Sequence, residues 1–178
     1  MKKIVTIAGS NSSTSINKQL VNYAGSLLKD VQVDYLDLRQ YDVPIYKFDD
    51  EQKDGIPEEI TTLLNLLKSY DAYIIATPEH NGSLPAFFKN ILDWLSRANR
   101  EIFGQKPTLV LSTSPGGYGG AMALKTLANM LSRFDAVIKG EYSLVSFYDN
   151  YDVDKQQLKS EEEQRKLQAV IDGLMASL

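Results

Sequence analysis

Apolar positions along this chain keep two different spacings in turn. Lys3-Ile-Val-Thr-Ile-Ala8 is a short run rich in β-branched residues, and it stops at Gly9-Ser10. Residues 15 to 29 then place Ile16, Leu20, Tyr23, Ala24, Leu27 and Leu28 at helical intervals. Val31 to Leu36 reads as a second strand. A second helix is predicted from Pro57 to about Ser69, with proline at its first position and Glu58 and Glu59 on the positive end of its dipole. Ala72 to Thr77 is a third strand, residues 85 to 97 a third helix opening at Pro85, and Thr108 to Thr113 a fourth strand. A fourth helix over about 120 to 134 buries a face drawn from Met122, Leu124, Leu127, Leu131 and Phe134. Strand five covers Val137 to Val145, and Ser160-Glu-Glu-Glu163 fits a capping box opening a last helix to about 177.

Strand and helix alternate strictly, which predicts an α/β fold with a parallel sheet covered on both faces. Right-handed crossovers leave few topologies, and the pattern does not choose between the two common strand orders. One domain over residues 1–178 is expected, since the chain shows no repeat, no low-complexity tract and no linker. Two irregular stretches, Leu38 to Ile56 and about Phe147 to Lys159, exceed ordinary loop lengths and point to function or subunit contact.

Composition narrows the chemistry. The formal charge is −4, with 19 basic and 23 acidic side chains, and gives no sign of a nucleic-acid partner. There is no cysteine, which excludes disulfides, thiolate catalysis and cysteine metal sites. No leader-like segment precedes the first strand, and no apolar run approaches the roughly 18 residues of a membrane helix. A cytoplasmic location with no membrane partner is the expectation by elimination.

In an open parallel sheet, ligands bind beyond the carboxyl ends of the strands. Three loops there have unusual composition. The first, Gly9 to Asn17, holds four serines, one threonine and two asparagines without a charge. Hydroxyls, amides and a helix N-terminus make a neutral phosphate cradle, although the loop has neither the dinucleotide nor the P-loop glycine spacing. The second, Thr77-Pro-Glu-His-Asn-Gly-Ser-Leu-Pro85, uses Gly82 to bring backbone close to a flat ligand. The third, Ser112-Thr-Ser-Pro-Gly-Gly-Tyr-Gly-Gly120, has four glycines in five residues and little side-chain bulk. Taken singly, each loop also reads as helix capping or turn chemistry.

Together these residues resemble the NADPH-dependent FMN reductase family of the flavodoxin-like superfamily. Gly9-Ser10 followed by Ser15-x-Asn17-x-x-Leu20 is similar to its phosphate loop. Thr77 to Pro85, then Lys89-Asn90 and Asp93-Trp-Leu-Ser-Arg97, is its most specific signature, and Ser112 to Gly117 is the third match. The resemblance implies a flavodoxin-like three-layer α/β/α sandwich with strand order 2-1-3-4-5. It implies bound FMN, NADPH or NADH as co-substrate, and a homodimer or homotetramer with the Asp93-Trp94 helix near the subunit contact. Ser10, Ser15 and Asn17, with Ser12 and Ile16 beside them, would hold the phosphate. Pro78, Glu79, His80, Asn81 and Gly82 would line the isoalloxazine, largely through backbone, with Ser114, Gly116 and Gly117 on its other side. Two positions depart from the family pattern: Ser12 stands where an arginine is common, and His80 where tyrosine is usual.

A flavin carries the redox chemistry itself, so no catalytic side chain and no metal are expected. The electron acceptor would be a small molecule: a flavin, quinone, azo dye or metal oxyanion. Two further functions stay open at this point, a flavodoxin-like electron carrier without nicotinamide turnover and a flavin-binding sensor. Tyr118 either covers the ring or fills the loop mouth, and His80 either contacts the flavin or is an exposed loop residue. Trp94 with Phe87 or Phe88 reads as core or interface, Arg97 and Arg100 as solvated helix-end cations, and Glu161 to Glu163 as a helix N-terminus.

Overall fold

The computed structural model describes residues 1–178. Strands β1 (Lys3–Ala8), β2 (Gln32–Leu36), β3 (Ala72–Thr77), β4 (Pro107–Thr113) and β5 (Val137–Leu144) form one sheet in the order β2-β1-β3-β4-β5. Every neighbouring pair is parallel. This is the flavodoxin-like order of the doubly wound folds, as the resemblance implied.

Alternation along the strands sends side chains to two cores. Val5, Ile7, Tyr73, Ile75 and Val110 pack with α3 (Glu58–Lys68), α4 (Ala86–Ala98) and α5 (Ala121–Arg133). Ile4, Ala8, Ile74, Ala76, Leu109 and Leu111 pack with α1 (Ile16–Ser26) and α7 (Glu161–Met175). Burial on both faces is why β1, β3 and β4 read as continuous apolar runs. No helix is long and apolar enough to cross a membrane.

Several local expectations shift. Pro57 and Pro85 are cap residues rather than first helical residues, so α3 and α4 begin one position later. Ser160 caps α7 by accepting from the N–H groups of Glu162 and Glu163 (3.2 and 3.4 Å). The capping box is only half formed, because Glu163 turns to accept from the Tyr142 hydroxyl (2.8 Å) and to meet Lys166 (2.8 Å). The stretch after β5 is not irregular throughout: it holds a one-turn helix α6 (Phe147–Asn150) and a hairpin of β6 (Tyr151–Asp152) and β7 (Gln157–Leu158).

The stretch after β2 contains α2 (Phe48–Asp54), a charged helix with no buried residue. Contacts from α4 hold this region down. Asn90 accepts from the Tyr46 N–H (2.7 Å) and donates to the Pro44 carbonyl (3.0 Å), which also receives the Trp94 indole N–H (2.8 Å). Tyr46 lies edge-on to Trp94 with ring centroids 5.0 Å apart, and its hydroxyl donates to Glu51 (2.8 Å). Arg97 closes on the same carboxylate through Nε (2.9 Å) and Nη2 (3.1 Å). Arg97 is thus ion-paired while staying partly solvated, and Asn90, Trp94 and Arg97 hold the segment after β2 as a strap against α4.

Hydrogen bonds from Arg97, then from Tyr46, hold the Glu51 carboxyl below the ordinary glutamate value. A depressed carboxyl stabilises the fold above its unfolded pKa, and that contribution disappears as pH falls through the folded one. Wild type should therefore melt higher than Glu51→Gln at neutral pH, with the gap closing in acid. Thermal melts from about pH 7 down to about pH 3 test this. A gap that stays constant over that range would refute the ion-pair account.

Candidate functional site

The first loop leaves β1 at a glycine that packing demands. The Gly9 N–H donates to the Ala76 carbonyl (2.8 Å), and a Cβ on Gly9 would lie 2.2 Å from the Phe88 ring. The chain then turns on its own hydroxyls. Ser10 Oγ accepts from the Ser12 N–H (3.2 Å), and Ser12 Oγ accepts from the Thr14 N–H (3.3 Å). Ser15 caps α1 by accepting from the Lys18 N–H (3.2 Å). The N–H groups of Ser13, Ser15, Ile16 and Asn17 make no hydrogen bond within the protein. The first turn of α1 carries no acidic residue. Free donors on the positive end of a helix dipole form an anion site.

Asn17 takes a different part from the one the resemblance implies. Its side chain is buried, donating to the Thr113 carbonyl (3.0 Å) and accepting from the Thr113 N–H (3.0 Å). Only its backbone N–H remains for a ligand. The side chain instead bolts the start of α1 to the end of β4.

The second loop is a tight turn. His80 and Ser83 exchange backbone hydrogen bonds (2.9 and 3.1 Å), and Asn81 and Gly82 both have positive φ, 52° and 74°. That is the Asn-Gly chemistry of a type I′ turn. Glu79 reaches out of this loop, its Oε2 accepting from the N–H groups of Met122 (3.0 Å) and Ala123 (3.1 Å). Its charge sits on the N-terminus of α5, where the dipole favours it. Like Asn17, Glu79 spends its side chain on joining loops.

The third loop has glycines of two kinds. Gly119 has φ +60°, and a Cβ there would lie 2.3 Å from Ser143 Oγ; its carbonyl accepts from the Ser112 and Ser143 hydroxyls (2.7 and 3.0 Å). Gly116 and Gly117 have no positive φ, and a Cβ on either would meet nothing within 4 Å. The protein has no internal need for glycine at those two positions.

The loops converge on a cleft of about 300 Å³, within the range of small-molecule sites. Ser10, Ser12, Ser15, Ile16 and Asn17 line it from the first loop, Pro78, Glu79 and His80 from the second, and Ser114 from the third. Asn81, Gly82, Gly116, Gly117 and Tyr118 lie outside that lining, with Tyr118 86% exposed. His80 is also exposed, with one edge on the cleft. Thr14, Thr113, Pro115 and Tyr148 line the cleft without having been singled out. The first three sit inside the loops read from the sequence. Tyr148 lies beyond the family-like residues, and only the unusual length of the segment after β5 pointed toward it.

A profile of the family described as NADPH-dependent FMN reductase matches residues 2–150. The chain is 31% identical over 177 residues to a 2-hydroxy-1,4-benzoquinone reductase from Burkholderia sp, covering 98% of this chain and 94% of that protein. An NAD(P)H-dependent FMN reductase from Pseudomonas aeruginosa is 31% identical over 134 residues, covering 75% of this chain and 71% of the other. The flavoenzyme NAD(P)H:acceptor oxidoreductase FerB from Paracoccus denitrificans superposes with a TM-score of 0.77 at 27% identity, covering 99% of each chain.

The Asn17 bolt makes a direct prediction. Asn17→Ala leaves both backbone groups of Thr113 buried and unpaired, so stability to urea should fall by about 2–3 kcal/mol. A loss below about 0.5 kcal/mol, the range of ordinary surface changes, would show that the bolt is dispensable.

Proposed function

The chain belongs to the NADPH-dependent FMN reductase family, and from that premise we propose that the three-loop cleft is its FMN site and that a quinone is its acceptor. The protein is an NAD(P)H-dependent oxidoreductase that works through FMN. Bound FMN supplies the electron transfer, taking electrons from a reduced nicotinamide and handing them to an acceptor. The residues of this chain bind, orient and shield it. In this reading Ser10, Ser12, Ser15, Ile16 and Asn17 hold the phosphate, chiefly through hydroxyls and the free N–H groups of Ser15, Ile16 and Asn17. Pro78 to Gly82 flank the ring on one side and Ser114, Gly116 and Gly117 on the other, with the exposed Tyr118 as a cover.

One observation carries this assignment: the free N–H groups of Ser15, Ile16 and Asn17 belong to residues lining a cleft that all three loops share. Gly116 and Gly117 are glycines without a backbone or packing reason inside the protein. A flat ligand lying against their peptide groups supplies the reason. The quinone acceptor is supported by the Burkholderia relative, which is named for reducing 2-hydroxy-1,4-benzoquinone. Membership of a reductase family also favours nicotinamide turnover over the electron-carrier alternative.

Three coarser readings go with it. The chain acts as one FMN-binding domain in the cytoplasm. It works as a homodimer or homotetramer, a reading supported by Ile45 and Phe48, which stand exposed on the strap that α4 holds down.

Purified protein given FMN, a benzoquinone and either nicotinamide should oxidise the nicotinamide steadily. A yellow protein that leaves NADH and NADPH untouched would overturn the reductase reading. Gly116→Ala should change unfolding free energy by no more than about 0.5 kcal/mol, as an open surface position allows, while raising the Kd for FMN about tenfold, or 1.4 kcal/mol. Unchanged FMN affinity in that variant would remove Gly116 from the site.

A further inference from the structure

The cleft is shaped for an anion yet no lysine or arginine lines it. Lys18, in the first turn of α1, carries its ammonium over the Tyr35 ring, 4.8 Å from the centroid, on edge strand β2. Ser12 and Thr14 share their hydroxyls with each other (3.3 Å). One lining residue comes from outside the three loops, and it is Tyr148.

The backbone around Tyr148 is held at several points. The N–H groups of Ser146 and Phe147 donate to the carbonyls of Gly116 (2.9 Å) and Ser114 (3.0 Å), tying α6 to the third loop. The Tyr148 carbonyl accepts from Lys159 Nζ (2.8 Å). Its ring stands edge-on to Phe147, with centroids 5.4 Å apart, and Phe147 is fully buried and stacked on Tyr151 at 4.7 Å. The side chain is nevertheless 60% exposed, and its hydroxyl makes no hydrogen bond to the protein. A held backbone therefore presents a free O–H donor beside a cleft that has no cation.

Resting on the flavin reading above, we propose that Tyr148 is a further binding residue for FMN, its hydroxyl donating to the phosphate in place of a cationic side chain. A hydroxyl donating to a phosphate oxygen is a charge-assisted hydrogen bond, stronger than a neutral one. It also adds a contact that a flavin without a phosphate cannot use. Tyr148 thus contributes to the choice of FMN over riboflavin.

Full-length apoprotein titrated separately with FMN and with riboflavin, followed by flavin fluorescence, tests this without turnover. Tyr148→Phe keeps the ring and its packing on Phe147 and removes only the hydroxyl. Its Kd for FMN should rise about tenfold, while its Kd for riboflavin stays within about twofold of wild type. A variant that binds FMN as tightly as wild type overturns the proposal, and so does one that loses both ligands equally, since the effect would then lie in the ring or the fold. Ser146→Ala, which keeps the backbone donor to Gly116, serves as a neighbouring control and should leave both affinities unchanged. If wild type binds neither flavin, the FMN reading itself fails, a result distinct from a silent Tyr148→Phe.

Discussion

The site depends on how two polar side chains are spent. Asn17 uses both ends of its amide on the backbone of Thr113, and Glu79 uses its carboxylate on the first N–H groups of α5. The first contact binds the first loop to the third, and the second binds the second loop to the helix that follows the third. Buried backbone groups at strand ends must find partners, and here those partners come from another loop. Three segments far apart in the chain are locked into one rim before any ligand arrives. Such preorganisation lowers the ordering cost of binding.

The sheet and its helices were largely legible because burial writes a clear pattern. Strands β1, β3 and β4 face apolar layers on both sides, so their sequences are nearly unbroken apolar runs. Helix α2 left no such trace, since it buries nothing and stays in place through Glu51 and Arg97, 46 positions apart. The site was legible at the level of loops but not of atoms. Serine-rich and glycine-rich composition marked where a ligand belongs. That Asn17 pairs with Thr113, 96 positions away, follows only from the strand order. Tyr148 escaped for the same reason: its place at the cleft comes from α6 folding back onto Ser114 and Gly116.

Charge tells a consistent story. The cleft relies on neutral donors and a helix end, the one carboxylate beside it is occupied by α5, and Lys18 faces β2. Interactions of this sort are short in range and less exposed to ionic screening than surface charge pairs. They also depend on backbone direction, which the close packing at Gly9 and the positive φ at Gly119 help to set.

The segment after β5 hangs from the third loop by two main-chain N–H groups, those of Ser146 and Phe147. Main-chain donors are the same for nearly every residue type. Phe147 is bound to the core by its ring, but replacement of the exposed Tyr148 side chain leaves this anchorage in place while repainting one wall of the cleft. One exposed side chain on a fixed turn can thus alter a wall of the cleft without disturbing the sheet or the core beneath it.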